Sequence, residues 1–188
     1  PTRRSSDLSV NAYDLNPVTV NGNQAVIVEA RGMARLLHEG APDLPQMAKS
    51  VVIPDMGSMN LVVKTSEYFE IQNVNVAPSK GNLLRNVNPY DVPYSYGNSY
   101  QQNAFFPSQI AVLKEPYIFR DLRGQTISFY PFQYNPVTKV LRVYTSIVVE
   151  LQHTSTAGIN EFFRTKAFTS VDQEYDNMYS RHFLNYHQ

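Results

Sequence analysis

Apolar and polar positions divide this chain into short extended runs punctuated by Gly, Pro and Asn. Residues 18–20 and 24–30 flank Asn21-Gly22-Asn23. An Asn-Gly pair between apolar runs is the strongest short signal for a β-hairpin. Gly32, Gly40, Pro42 and Pro45 mark a loop leading into a run at 49–53, and Pro54-Asp55-Met56-Gly57 has the composition of a turn. Strands are predicted at 59–65 and 68–77, where Phe69, Ile71, Val74 and Val76 give partial period-two alternation. Extended pattern returns at 110–120 and 125–134. It ends in the longest candidate, 138–152, joined to the preceding run by Asn135-Pro136, which favours turn initiation.

Two segments break this rhythm. Residues 78–106 hold Pro78, Gly81, Pro89, Pro93 and Gly97 with several Asn and Tyr, and no clear strand. Loops of that length inside a domain are usually functional or disordered, and the aromatics favour an ordered excursion with a mobile tip. Near the end, Phe168, Val171, Tyr175, Met178, Tyr179 and Phe183 recur at spacings of three and four, which is one face of a helix. Ser170 with Gln173 fits a capping box. The predicted fold class is all-β, an antiparallel β-sandwich-like domain over 9–169 with a short C-terminal helix in 170–188.

Composition sharpens this. Thirteen Tyr and ten Phe without Trp suit strands. Sixteen basic and sixteen acidic residues balance, and no basic stripe stands out, so nucleic acid is not an expected partner. No apolar stretch approaches the roughly 20 residues that a membrane-spanning helix needs. The absence of Cys removes disulfides, thiolate metal sites and a Cys nucleophile together. His38, His153, His182 and His187 show no metal-ligand spacing, and there is no Gly-x-Ser-x-Gly, P-loop or Gly-x-Gly-x-x-Gly motif. No catalytic residue, metal or cofactor is expected in this stretch.

The first eight residues, Pro1 to Leu8, match the translation of a common sequencing-adapter oligonucleotide and are read as an artefact or disordered tail. Omitting them removes Arg3, Arg4 and Asp7, which shifts the formal charge from zero to −1. A native start, signal peptide included, is then expected upstream.

From Val76-Ala77-Pro78-Ser79-Lys80-Gly81 onward the chain resembles the propeptide of the gingipains. The likeness runs through Asn88-Pro89, Val92-Pro93-Tyr94, Tyr96-Gly97 and Phe105-Phe106-Pro107. It continues in residues 120–125, 133–139, 142–145 and 147–149, and thins toward Asn185-Tyr186. Each motif is weak alone; their order over about a hundred residues is specific. The segments Pro-Ser-Lys-Gly and Asn-Pro-Val-Thr-Lys point to the arginine-specific branch.

The resemblance implies secretion through the periplasm to the cell surface. It also implies a cysteine protease catalytic domain following in the same precursor, which the propeptide would hold latent and help to fold. On that likeness Arg85 matches the arginine that family enzymes receive in their specificity pocket, with Leu83, Leu84 and Asn86 beside it. A guanidinium suits a pocket carboxylate because it pairs bidentately. Tyr94, Tyr96 and Tyr100 are either protease contacts or core. Arg120 and Arg123, beside Asp121, are read as structural. The competing reading is a stand-alone β-sandwich module binding surface glycans or proteins.

Overall fold

The computed structural model describes residues 4–10, 12–165 and 171–187. Its strands are β1 (Arg4–Ser9), β2 (Tyr13–Val20), β3 (Asn23–Ala30), β4 (Ala34–Arg35), β5 (Pro45–Val52), β6 (Ser58–Ile71), β7 (Ala111–Leu113), β8 (Tyr117–Phe119), β9 (Leu122–Phe129), β10 (Phe132–Asn135) and β11 (Val140–Thr154), followed by helix α1 (Gln173–His182). All ladders between these strands are antiparallel, as predicted.

The hairpin forms where Asn21-Gly22 places it. β2 and β3 pair along their full length, and the two turn residues take φ of 49° and 81°, the left-handed pair that a two-residue hairpin turn requires. A four-stranded sheet is built on β11: β6 lies along one edge, and β10 and β1 share the other. A second sheet has the order β4-β5-β9-β7, with β8 also on β9. Proline sets the breaks between its strands. The predicted run 110–120 splits into β7 and β8 at Pro116, and the run 125–134 splits into β9 and β10 at Pro131, because proline offers no N–H to a ladder. At that second break the chain changes sheets: Tyr130 N–H bonds the Ile110 carbonyl on the β7 side, and the Pro131 carbonyl accepts from Tyr144 on β11.

The two sheets enclose the main core. Ile147, Val149 and Leu151 alternate inward along β11 and meet Val51, Ile53, Ile127 and Phe129 from the opposite sheet. A second cluster joins Phe132, Tyr134, Leu141 and Val143 to Val28 of the hairpin and to Leu44, Val74 and Val76. Burying such side chains stabilises the fold by about 1.5–3 kcal/mol each. The result is a two-layer β-sandwich with the hairpin closing one end.

Three sequence expectations are revised. The strands expected at 59–65 and 68–77 are one strand through Ile71, because Thr65-Ser66-Glu67 sit in β6 with their side chains exposed and do not interrupt backbone pairing. The following residues make only single bridges, Val76 to Val26 and Pro78 to Pro42. The second revision concerns the N-terminal tail. Residues 4–9 lie as β1 along Ser146 to Leu151, since main-chain pairing to a free strand edge demands no particular side-chain pattern. The third is the start of the helix. It is capped by Asp172, without a side-chain cap bond. Ser170 and Phe168 lie outside the described residues.

The helix belongs to the domain. Tyr179 and Phe183 are buried against Leu122, with Val52, Tyr117 and Phe119 packed around them, whereas Met178 on the expected face points to solvent. Leu184 N–H bonds the Ser50 carbonyl, and the Asn185 side-chain amide pairs both backbone groups of Val52 at 2.7 and 2.9 Å, extending the edge of β5.

Candidate functional site

Residues 78–106 contain no strand, only a short 3-10 turn at Asn98–Gln101, and the excursion is tied firmly at its base. Ser79 is buried; its N–H bonds the Ala41 carbonyl at 2.7 Å and its carbonyl accepts from Gly40 at 2.9 Å. Gly97 N–H in turn bonds the Gly40 carbonyl at 2.8 Å. Gly40 has φ +74° and a Cβ there would lie 3.0 Å from the Gly97 nitrogen, so this three-way crossing accepts only glycine. Gly81, also at positive φ, turns the chain outward while its N–H bonds the Ser79 hydroxyl oxygen. The motif Pro78-Ser79-Lys80-Gly81 thus forms the root of the loop.

Beyond the root the chain is exposed. Val87 N–H bonds the Leu84 carbonyl at 3.0 Å, which closes a turn with Arg85 and Asn86 at its centre. Arg85 and Asn86 project from the surface, and among the described residues no carboxylate pairs with Arg85. Leu84 is 72% exposed and Tyr90 94% exposed. Leu83 is half-buried; together with Pro89, Tyr90, Pro93 and Tyr94 it lines an open cleft of about 680 Å³. A second turn follows, with Asn88 accepting from Tyr90 on its side chain and from Asp91 on its carbonyl.

The structure brings Leu83, Leu84, Arg85 and Asn86 together at one tip and distributes the three tyrosines differently. Tyr100 is internal: its hydroxyl donates to the Val76 carbonyl at 2.8 Å, and burial pushes its phenol far above the ordinary range. Tyr96 is 41% exposed and meets the Tyr100 ring edge-to-face at 4.6 Å. Tyr94 is half-buried, with the Lys80 ammonium 4.1 Å from its ring centroid. Burial raises the Tyr94 phenol, and the nearby Asp43 carboxylate raises it further. Only Tyr94 and Tyr96 therefore remain as surface candidates.

Arg120 and Arg123 are structural. Arg120 pairs with Asp121 at 3.3 Å and lies over the Tyr175 ring. Arg123 is 1% exposed and donates to the carbonyls of Pro54, Gly57 and Ile159. Among the described residues no group of three His, Asp or Glu could hold a metal ion.

Two features escaped the sequence reading. Asp43 is buried and bonds Arg35 at 2.7 Å, its pKa raised by burial against the opposing pull of Arg35. Lys80 donates to the Pro89 carbonyl at 2.7 Å across the loop. The Pro-Ser-Lys-Gly segment was the available signal for the second.

The family model Propeptide_C25 matches residues 9–180. The chain belongs to this family of gingipain propeptides. Gingipain R1 of Porphyromonas gingivalis is 44% identical over 151 residues, 80% of this chain and 15% of that protein. Gingipain R2 of the same species is 43% identical over 148 residues, 79% of this chain and 20% of that protein. The chain thus spans only a minor part of these curated relatives, and what it carries is the propeptide, not the catalytic part.

A solved structure described as the complex of Porphyromonas gingivalis RgpB pro- and mature domains superposes with a TM-score of 0.90 at 34% identity, covering 99% of this chain and 93% of that one. A structure of gingipain K from that species, described as bearing on zymogenic latency, gives a TM-score of 0.68 at 19% identity over 82% of this chain, and shows the fold alone. No helix among the described residues is long and apolar enough to cross a membrane.

Proposed function

We propose that this propeptide holds a cysteine protease catalytic domain of its own precursor latent by presenting Arg85 to the specificity pocket, and that it assists that domain's folding before removal. The observation that carries the reading is Arg85 itself: an exposed guanidinium, unpaired among the described residues, at the centre of a turn on a loop whose root is fixed and whose tip is free. Its neighbour Leu84 offers apolar surface on the N-terminal side. The solved relative that pairs a prodomain with its mature domain supports a catalytic domain as the partner. Export through the periplasm to the cell surface is part of the same proposal, and kinship with the gingipains supports it.

Proteases bind peptides as extended strands, so the Leu84–Val87 turn must open as the loop enters a cleft. Folding assistance follows from the same contact. A rigid domain that binds only the native cleft stabilises the native catalytic domain by mass action.

The test is inhibition of the mature domain of Porphyromonas gingivalis RgpB by the purified chain. Removing an arginine that forms a desolvated charge pair typically costs about 2–5 kcal/mol of binding, so Arg85→Ala should weaken inhibition roughly 30-fold or more. Arg85→Lys should recover only part, because the bidentate pair is lost. Arg31→Ala, at another exposed arginine, should inhibit like the parent chain. Equal inhibition by Arg85→Ala and the parent would mean that latency arises from surface occlusion.

A further inference from the structure

Lys80 follows Ser79, whose backbone is held on both sides by Ala41 and Gly40, and it precedes the outward turn at Gly81. Its ammonium donates to the carbonyl of Pro89, on the far side of the loop, at 2.7 Å. The same nitrogen sits 4.1 Å from the centroid of Tyr94, a ring packed beside the buried cluster of Val20, Ala25 and Ala77. One side chain therefore joins the departing limb, the returning limb and the wall of the sandwich. The segment it closes runs from Gly81 to Asn88 and has Arg85 near its middle.

We propose that Lys80 is a positioning residue for the inhibitory loop, a clamp that keeps both limbs in place before and after the loop is cut. The inference rests on Arg85 being the residue offered to the protease. When the protease hydrolyses the Arg85–Asn86 bond, water adds across the peptide and leaves an Arg85 carboxylate and an Asn86 amine, which takes up a proton. The first limb, ending at Arg85, remains fixed through Ser79. The second limb, beginning at Asn86, has no main-chain bond to the body of the domain among the described residues before Gly97, which bonds Gly40. Without the Lys80–Pro89 bond the cut end of that limb, from Asn86 to Pro89, is free to swing about the point where Tyr94 packs on the hairpin cluster. With it, the new amine stays near the new carboxylate, product release is slow, and the reverse reaction remains open. The clamp also limits the conformations of the intact loop, so less ordering remains to be done on binding.

The test uses Lys80→Met, which keeps the apolar stem and removes the charge, and Lys80→Arg, which can still donate to the Pro89 carbonyl. In the free chain, NMR solvent exchange of the Val87 and Asp91 amides should accelerate in Lys80→Met by roughly tenfold, about the factor one charge-assisted hydrogen bond contributes. The melting temperature should stay within a degree or two of the parent. Against the mature domain of Porphyromonas gingivalis RgpB, the Lys80→Met chain should inhibit several-fold more weakly while intact. Once mass spectrometry shows a cut after Arg85, it should release active enzyme, whereas the cut parent and Lys80→Arg chains continue to inhibit. Unchanged amide exchange together with persistent inhibition by cut Lys80→Met would overturn the clamp. Accelerated exchange alongside undiminished inhibition by Arg85→Ala would retain the clamp as a loop staple and reject the inhibitory role of the loop tip.

Discussion

Replacing Arg123 with alanine should destabilise the domain severely, and the reason separates a scaffold arginine from an inhibitory one. The Arg123 guanidinium is 1% exposed and donates at 2.9, 2.9 and 2.6 Å to the carbonyls of Pro54, Gly57 and Ile159. These three acceptors belong to the turn after β5 and to the segment after β11, which lie far apart in sequence. Alanine would leave three inward-facing carbonyls without donors and an unfilled space. Hydrogen bonds to a charged donor contribute about 1.5–3 kcal/mol each, but the mutant also avoids burying a guanidinium. A buried acceptor left without its donor costs about 1–3 kcal/mol, so stranding all three carbonyls nets roughly 3 kcal/mol or more.

For a chain of this size each kcal/mol shifts Tm by about 2–4 °C, so Arg123→Ala should melt at least 6 °C lower. Urea unfolding followed by circular dichroism should show a lower midpoint with little change in slope. Arg85→Ala should leave Tm unchanged, because its side chain makes no such bonds. A melting temperature for Arg123→Ala within a degree or two of the parent would refute the reasoning, and would place the three carbonyls in contact with water. The comparison also warns against reading any loss of inhibition by Arg123→Ala as evidence of pocket insertion.

Two further outcomes follow from the packing around this region. Backbone N–H groups of Gly158 and Gly57 bond the Glu161 carboxylate and, with smaller help from Arg123, hold its pKa below the ordinary glutamate value. Such a group stabilises the fold above its unfolded pKa of about 4.3 and loses that contribution as pH falls through the lower folded value. Glu161→Gln should therefore flatten the acid limb of a Tm-against-pH curve, and an unchanged limb would count against the assignment. A Cβ on Gly124 would lie 2.6 Å from the Phe183 ring and 2.9 Å from Tyr117, so Gly124→Ala should cost about 1–3 kcal/mol. It should also speed hydrogen exchange in α1, and full retention of protection there would show that the helix is not seated on β9.

How much of this was legible in the sequence depended on whether a local signal carried it. The hairpin at Asn21-Gly22 was readable because its turn chemistry is contained in two residues. The C-terminal helix was readable because Tyr175, Tyr179 and Phe183 share one face, although the pattern could not tell that Met178 points outward or which surface the face would meet. The fusion of the two expected strands into β6 was hidden, since Thr65-Ser66-Glu67 looks like a break by polarity while backbone pairing with β11 is indifferent to it. The pairing of residues 4–9 with β11 was invisible for the same reason.

At the candidate site, Arg85 came from family likeness and from no pattern of its own; an exposed arginine in a loop has no periodic signature. Tyr100 and Tyr96 were indistinguishable by composition; what separates them is that Tyr100 packs against the second core cluster and its hydroxyl donates to the Val76 carbonyl, while Tyr96 stays exposed. Long-range contacts such as Lys80 to Pro89 leave only a short motif behind.

The loop's architecture places rigidity and freedom where a substrate-like inhibitor needs them. Gly40, Ser79 and Gly97 cross at the root in a set of main-chain bonds that only small residues at the two glycine positions allow. Energy stored in that root does not depend on the side chains at the tip, so the tip can vary to suit a pocket without unfolding the domain. Conversely the tip carries exposed Leu84, Arg85 and Tyr90, whose apolar and charged surface gains little from the sandwich and is available to a partner. An inhibitor that is stiff at its tip in the wrong conformation would have to break bonds before binding, whereas one loose at its root would lose grip after a single cut. A one-bond turn at Leu84–Val87 above a root held by several bonds lies between these failures. It opens at the expense of a single hydrogen bond and leaves the limbs fixed.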